Sequence, residues 1–152
     1  MTKLEVKERL KVVCADFVKS KLNTILKTVQ SNQEALESES KSSAGDKHET
    51  GRAMLQLEME KAGQQLSEVD QMKLVVEKIN SAKICEAGSL GSVVKTESVN
   101  YFIGISVGKI ELDNEIYFVI SPGSPIGKLL LGKVKNDIFL FQESQTKILN
   151  IW

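Results

Sequence analysis

The sequence predicts an α+β protein in two parts: an antiparallel coiled-coil helical hairpin over 1–82, then a small antiparallel β domain with one short helix over 88–152. Three observations lead there. Two proline-free segments of helical periodicity flank a break at Ser42-Ser43-Ala44-Gly45. Beyond Gly91 the pattern switches to short β-branched and aromatic runs divided by turn residues. Of the eight aromatic residues only Phe17 precedes residue 101, and aromatic bulk suits a globular core better than a two-helix seam.

The first helix reads over 4–37. Leu10, Val13 and Phe17 keep three-four spacing, and Leu22, Ile25, Val29 and Leu36 resume it after a slip. The stripe is narrow, as a seam between two helices requires. The polar, serine-rich 37–43 stretch predicts fraying ahead of the reversal. The second helix starts near Asp46 or Lys47 and runs to about Asn80. Leu55, Met59, Ala62, Leu66, Val69, Val76 and Ile79 mark its seam, interrupted at Lys73. Gly63 weakens it by about 1 kcal/mol relative to alanine. Equal arms and a short connection make the pair antiparallel, each arm about 50 Å long. Each stripe is used on the other arm, so a monomer is expected.

Five strands are expected in the second part, over 92–96, 100–107, 115–120, 137–142 and 146–151. Asp113-Asn114 reads as the turn between the second and third. In Ser121-Pro122-Gly123-Ser124-Pro125, Ser124 is a good N-cap, Pro125 suits the first helical position, and Gly132 stops the helix. The helix then spans 125–131 and packs on a sheet of four or five strands.

Composition excludes more than it selects. Lysine plus arginine equals aspartate plus glutamate at 20 each in 152 residues, so bulk charge gives no hint of nucleic-acid binding. Its distribution is uneven, with residues 1–30 mostly basic and 31–50 mostly acidic. No apolar run reaches membrane-span length, so no membrane partner is expected. Cys14 and Cys85 form no metal or redox motif, lie at different heights of the hairpin, and read as structural. A reducing cytoplasm fits them.

The chemistry-bearing stretch is the break itself. Asp46 and Glu49 have the spacing of a capping-box variant, in which both carboxylates serve the helix start. The same spacing projects two carboxylates from one face at the hairpin tip. Two such ligands hold a divalent cation weakly unless a partner supplies more. His48, between them, reads as a solvated helix-start histidine.

Two motifs then carry a family resemblance. Gly45-Asp46-Lys47-His48-Glu49 resembles the Gly-Asp-x-x-Glu tip of bacterial Gre-type transcript cleavage factors. Ser124-Pro125-Ile126-Gly127-Lys128-Leu129-Leu130-Leu131-Gly132-Lys133, followed by Asp137, resembles the signature of the Gre C-terminal domain, which is FKBP-like. Order of parts, lengths and both motifs agree over nearly the whole chain.

The resemblance implies an accessory factor rather than an enzyme. The hairpin is expected to enter the secondary channel of RNA polymerase while the C-terminal domain docks at its rim through Ser124, Pro125, Ile126, Gly132 and Lys133. Asp46 and Glu49 are then expected to help the polymerase hold a Mg²⁺ ion that activates water for cleavage of backtracked RNA. The nascent RNA 3′ end is met indirectly, and no cofactor is bound by the factor alone. Where the family's tip continues Glu-Asn-x-x-Tyr, this chain has Glu49-Thr50-Gly51-Arg52-Ala53, without the asparagine and tyrosine. A channel-binding regulator that does not cut is therefore the runner-up, ahead of a generic coiled-coil interaction protein. The FKBP likeness also raises prolyl isomerisation, which needs an open aromatic-lined pocket. The few aromatics are expected to be taken up by the core.

Overall fold

The computed structural model describes residues 1–40 and 45–152, with side chains at 1–38 and 50–152. The reversal expected at 42–44, and the side chains of Asp46, His48 and Glu49, lie outside the described residues. Two long helices, α1 (Lys3–Ser40) and α2 (Gly45–Lys78), form the helical hairpin, and a six-stranded sheet with one short helix follows. The chain divides into two compact units: Val18–Met72, and a second joining Met1–Phe17 to Lys73–Trp152.

In the Val18–Met72 unit the two helices bury narrow stripes. On α1 these are Val18, Leu22, Ile25, Val29, Asn32 and Leu36, alternating four and three residues apart. On α2 they are Leu55, Met59, Ala62, Leu66, Val69 and Met72. The α2 stripe is the expected one, with half-buried Met72 bridging the gap at exposed Lys73. Asn32 occupies a seam position that an apolar-only reading skips, and its Nδ2 is buried without a hydrogen-bond partner. Gly63 lies on the outer face, where an added Cβ meets nothing within 4 Å. Gly63→Ala is accordingly expected to stabilise the protein by about 0.5–1 kcal/mol, read as a raised urea midpoint at unchanged slope.

The second unit begins with the base of the hairpin. Thr2 and Glu5 cap α1 reciprocally: Thr2 Oγ1 accepts from Glu5 N (3.2 Å), and Glu5 Oε2 accepts from Thr2 N (2.8 Å). Leu10 is buried as expected, but the burial then falls on Cys14 rather than Val13, and Val13 and Phe17 are only half-buried. The carbonyls beyond the end of α2 are satisfied from α1. Lys11 Nζ donates to Ile79 O (2.7 Å), and Lys7 Nζ donates to Lys83 O.

The strands are β1 (Val93–Thr96), β2 (Asn100–Ile103), β3 (Gly108–Leu112), β4 (Glu115–Ile120), β5 (Ile138–Phe141) and β6 (Ser144–Ile151), in spatial order β3-β4-β2-β1-β6-β5. All neighbours are antiparallel except β2 and β4, which run parallel with Tyr101 beside Phe118. The single strand expected over 100–107 is two: β2 ends at Ile103, the chain turns, and Gly108 restarts it at φ 103°. Asp113-Asn114 is a turn, as expected, but joins β3 to β4, both residues at positive φ as a two-residue hairpin requires. Gln142 and Glu143 do the same between β5 and β6, a turn their side chains do not advertise.

The short helix, α3 (Pro125–Leu130), covers one part of the sheet. Ile126 and Leu130 join Val94, Ile103, Phe139, Ile148 and Ile151 in a buried cluster, with Cys85 and Tyr101 packed against it. Elsewhere in this unit Cys14, Ile79 and Phe102 converge on Gly104, where a Cβ would sit 3.3 Å from the Cys14 sulfur.

Asn100 Nδ2 and the Tyr117 hydroxyl both donate to Glu115 Oε2, at 3.0 and 3.3 Å. Burial first, and the Glu115 carboxylate second, push the Tyr117 phenol up to about 12, while burial alone raises Tyr101. A raised phenol favours the neutral folded form. Its stabilising share is whole below the ordinary tyrosine value of about 10 and is lost as pH climbs towards 12. Tyrosinate absorbance should therefore show a step near pH 12 that disappears in Tyr117→Phe. Complete titration of both tyrosines near 10 contradicts the burial described.

Candidate functional site

At the hairpin tip, backbone geometry places Gly45 at the start of α2, with Asp46, His48 and Glu49 in its opening residues. After them Thr50 and Arg52 are exposed and Gly51 half-buried. Among the described residues no group of three or more histidine, cysteine, aspartate or glutamate side chains could hold a metal ion. The donor chemistry of Asp46 and Glu49, hard carboxylate oxygens, suits Mg²⁺, and their number suits an ion shared with a partner.

The second motif runs from Ser124 to Asp137, and its residues set the backbone. Ser124 Oγ accepts from Gly127 N (3.1 Å) and donates to Ser121 O (2.7 Å), an N-cap that starts α3 with Pro125 at the first helical position. A Cβ on Gly127 would fall 2.0 Å from Ser121 O, so only glycine lets the helix start this close to the preceding turn. Gly132 ends the helix at φ 79°. Its N–H donates to Gly88 O (2.8 Å), and Gly88 N–H donates to Lys133 O (2.8 Å), pinning the segment before β1 to the end of α3. Asp137 Oδ2 accepts from Val134 N (2.8 Å) and fixes the turn into β5. Of the expected docking set, Pro125 and Gly132 are exposed, Ser124 and Lys133 half-buried, and Ile126 lies in the core.

Two features escape a reading along the sequence. The first is an open groove of about 480 Å³ lined by Tyr101, Phe118, Ile120, Ile126, Phe139 and Phe141, with Ser98, Val99, Gln142, Ser144 and Thr146. Tyr101 and Phe118 face each other with ring centroids 6.2 Å apart. The aromatics are thus divided: Phe102, Tyr117, Phe139 and Trp152 are buried, while Tyr101, Phe118 and Phe141 are half-buried. Tyr101 is the sole ionisable residue in the described lining, so the groove offers shape and apolar surface but no acid–base pair. The second is the approach of Lys7 Nζ to within 3.7 Å of Cys85 Sγ. Seventy-eight residues separate them in sequence, and no local pattern announces the contact.

No protein-family model and no curated protein matches the chain. Among solved structures it is similar to GreA factor homolog 1 (Gfh1) of Thermus thermophilus, at a TM-score of 0.35 and 19% identity, over 90% of this chain and 93% of that one. A superposition that loose leaves the functional reading to the residues themselves.

Proposed function

We propose that this chain is a transcription elongation factor of Gre type that binds RNA polymerase through its secondary channel. One observation carries the reading. A helical hairpin bearing Gly45-Asp46-Lys47-His48-Glu49 at the start of its second helix is followed by a sheet unit in which Ser124 caps α3, Pro125 opens it, Gly132 ends it and Asp137 holds the turn into β5. In this reading the hairpin delivers Asp46 and Glu49, and the sheet unit anchors the factor outside the channel through the α3 region. Among the described residues there is no complete metal site. The chain's part is to place two carboxylates beside a Mg²⁺ ion held jointly with the polymerase, and the chemistry such an ion supplies when bound is activation of water against RNA.

The tip sequence favours a second reading. Thr50-Gly51-Arg52-Ala53 lacks the asparagine and tyrosine of the cleaving pattern and brings a cation next to the acids. A factor with this tip occupies the channel and regulates without stimulating cleavage. Both readings require the same partner. Purified RNA polymerase passed over the immobilised chain should be retained at moderate salt, and absence of retention even at low salt removes both.

A further inference from the structure

The base of the hairpin holds an amine and a thiol with no assigned role. Lys7 is completely buried, whereas most lysines extend the amine to solvent. Its Nζ donates to Lys83 O and lies 3.7 Å from Cys85 Sγ, so the amine is held against the sulfur. Cys85 is half-buried and open to a small oxidant, and it carries no disulfide. The other cysteine, Cys14, is buried and hydrogen-bonded to the Ile105 backbone.

We propose that Lys7 and Cys85 form a reversible, peroxide-driven sulfur–nitrogen cross-link between the first turns of α1 and the segment leading into the sheet. The chemistry takes two steps. The Cys85 thiolate attacks one oxygen of hydrogen peroxide. The O–O bond breaks, sulfur is oxidised by two electrons to a sulfenic acid, and the departing hydroxide leaves as water with the thiol's proton. The lone pair of the neutral Lys7 amine then attacks the sulfenic sulfur. The S–O bond breaks, the hydroxyl leaves as a second water with an Nζ proton, and an S–N bond remains. Thiol, amine and one peroxide become a sulfenamide and two waters. A thiol reverses it by attacking sulfur, returning the amine and leaving a mixed disulfide that a second thiol resolves.

Three features favour this outcome over the usual fates of a sulfenic acid. The nearest nucleophile is an amine fixed in place, so the second step is intramolecular and needs no second protein. Burial lowers the Lys7 pKa from the ordinary lysine value, against the opposing pull of the Cys85 sulfur and with a smaller contribution from the Lys83 charge, so the lone pair is more available than on a surface lysine. Burial of the amine also shields the product from water. The proposal is independent of the polymerase reading, because both residues lie in the same compact unit and neither belongs to the tip motif or to the Ser124–Asp137 segment.

The test treats the full chain with hydrogen peroxide, blocks free thiols, digests without reductant and weighs the peptides. The expected result is a linked pair joining the Lys7 and Cys85 peptides, about 2 Da lighter than their sum and lost on adding dithiothreitol. In Lys7→Met, peroxide with dimedone present should leave Cys85 as the dimedone adduct, and Cys85→Ser should give no linked pair. Wild-type protein in which Cys85 ends as a dimedone adduct, a sulfinic acid or an intermolecular disulfide, with no Lys7 linkage, overturns the proposal. The wild-type result decides the matter even if Lys7→Met does not fold.

Discussion

Gly88→Ala is expected to destabilise the sheet unit by roughly 3–5 kcal/mol, enough to unfold a small domain of ordinary stability. A Cβ built on Gly88 falls 1.9 Å from the Leu130 carbonyl oxygen and 2.9 Å from its carbon. Backbone cannot swing aside as a side chain does. Leu130 is fully buried in the cluster under α3, so moving its carbonyl disturbs the core. Moving Gly88 instead breaks the paired bonds from Gly88 N to Lys133 O and from Gly132 N to Gly88 O. Urea unfolding followed by tyrosine and tryptophan fluorescence measures the loss. A variant within about 0.5 kcal/mol of wild type means that the segment before β1 does not lie against the end of α3. Gly63→Ala, of opposite sign, is the internal control that glycine substitution as such is not harmful.

Asp46→Asn is expected to leave folding nearly unchanged and to remove function. Asp46 lies in the first turn of α2, where the change removes only a surface interaction of its charge with the helix macrodipole, so stability should fall by no more than about 1 kcal/mol. A neutral amide oxygen replaces a carboxylate poorly as a Mg²⁺ ligand, so stimulated cleavage in stalled, backtracked complexes should drop about 10- to 100-fold while polymerase binding persists. Glu49→Gln should behave alike, because it also removes one charge near the start of α2 and keeps a residue of similar helix propensity. Full cleavage by Asp46→Asn contradicts a metal-holding role. Wild-type protein that occupies the channel yet cuts nothing at any Mg²⁺ concentration makes the non-cleaving regulator the correct description.

The hairpin and the order of parts were legible because helical periodicity is local. The α2 seam from Leu55 to Ile79 could be read residue by residue, and Ser124, Pro125 and Gly132 declare a cap, a first turn and a stop. The shift from Val13 and Phe17 to Cys14 and Val18 was not legible. For Cys14 it is set by the close approach of Ile79, Phe102 and Gly104, far away in sequence. β3 was missed because Lys109-Ile110-Glu111-Leu112 is a short alternation at the sheet edge, and its pairing with β4 is what makes it a strand. The parallel β2–β4 pair and the Lys7–Cys85 approach are products of topology. Of the candidate site, the motifs could be found in sequence, but the structural use of Gly88 and Gly127 needed the close approaches of Leu130 and Ser121.

Competition for the polymerase channel tests the central claim most directly. A fluorescently labelled Gre cleavage factor bound to RNA polymerase reports occupancy of the secondary channel by anisotropy. Titration with this chain should displace the label fully, with a midpoint that rises in proportion to the labelled factor's concentration, as mutually exclusive binding requires. Unchanged anisotropy at saturating concentrations of the chain, or simultaneous binding of both proteins, contradicts the assignment of this hairpin to the polymerase channel.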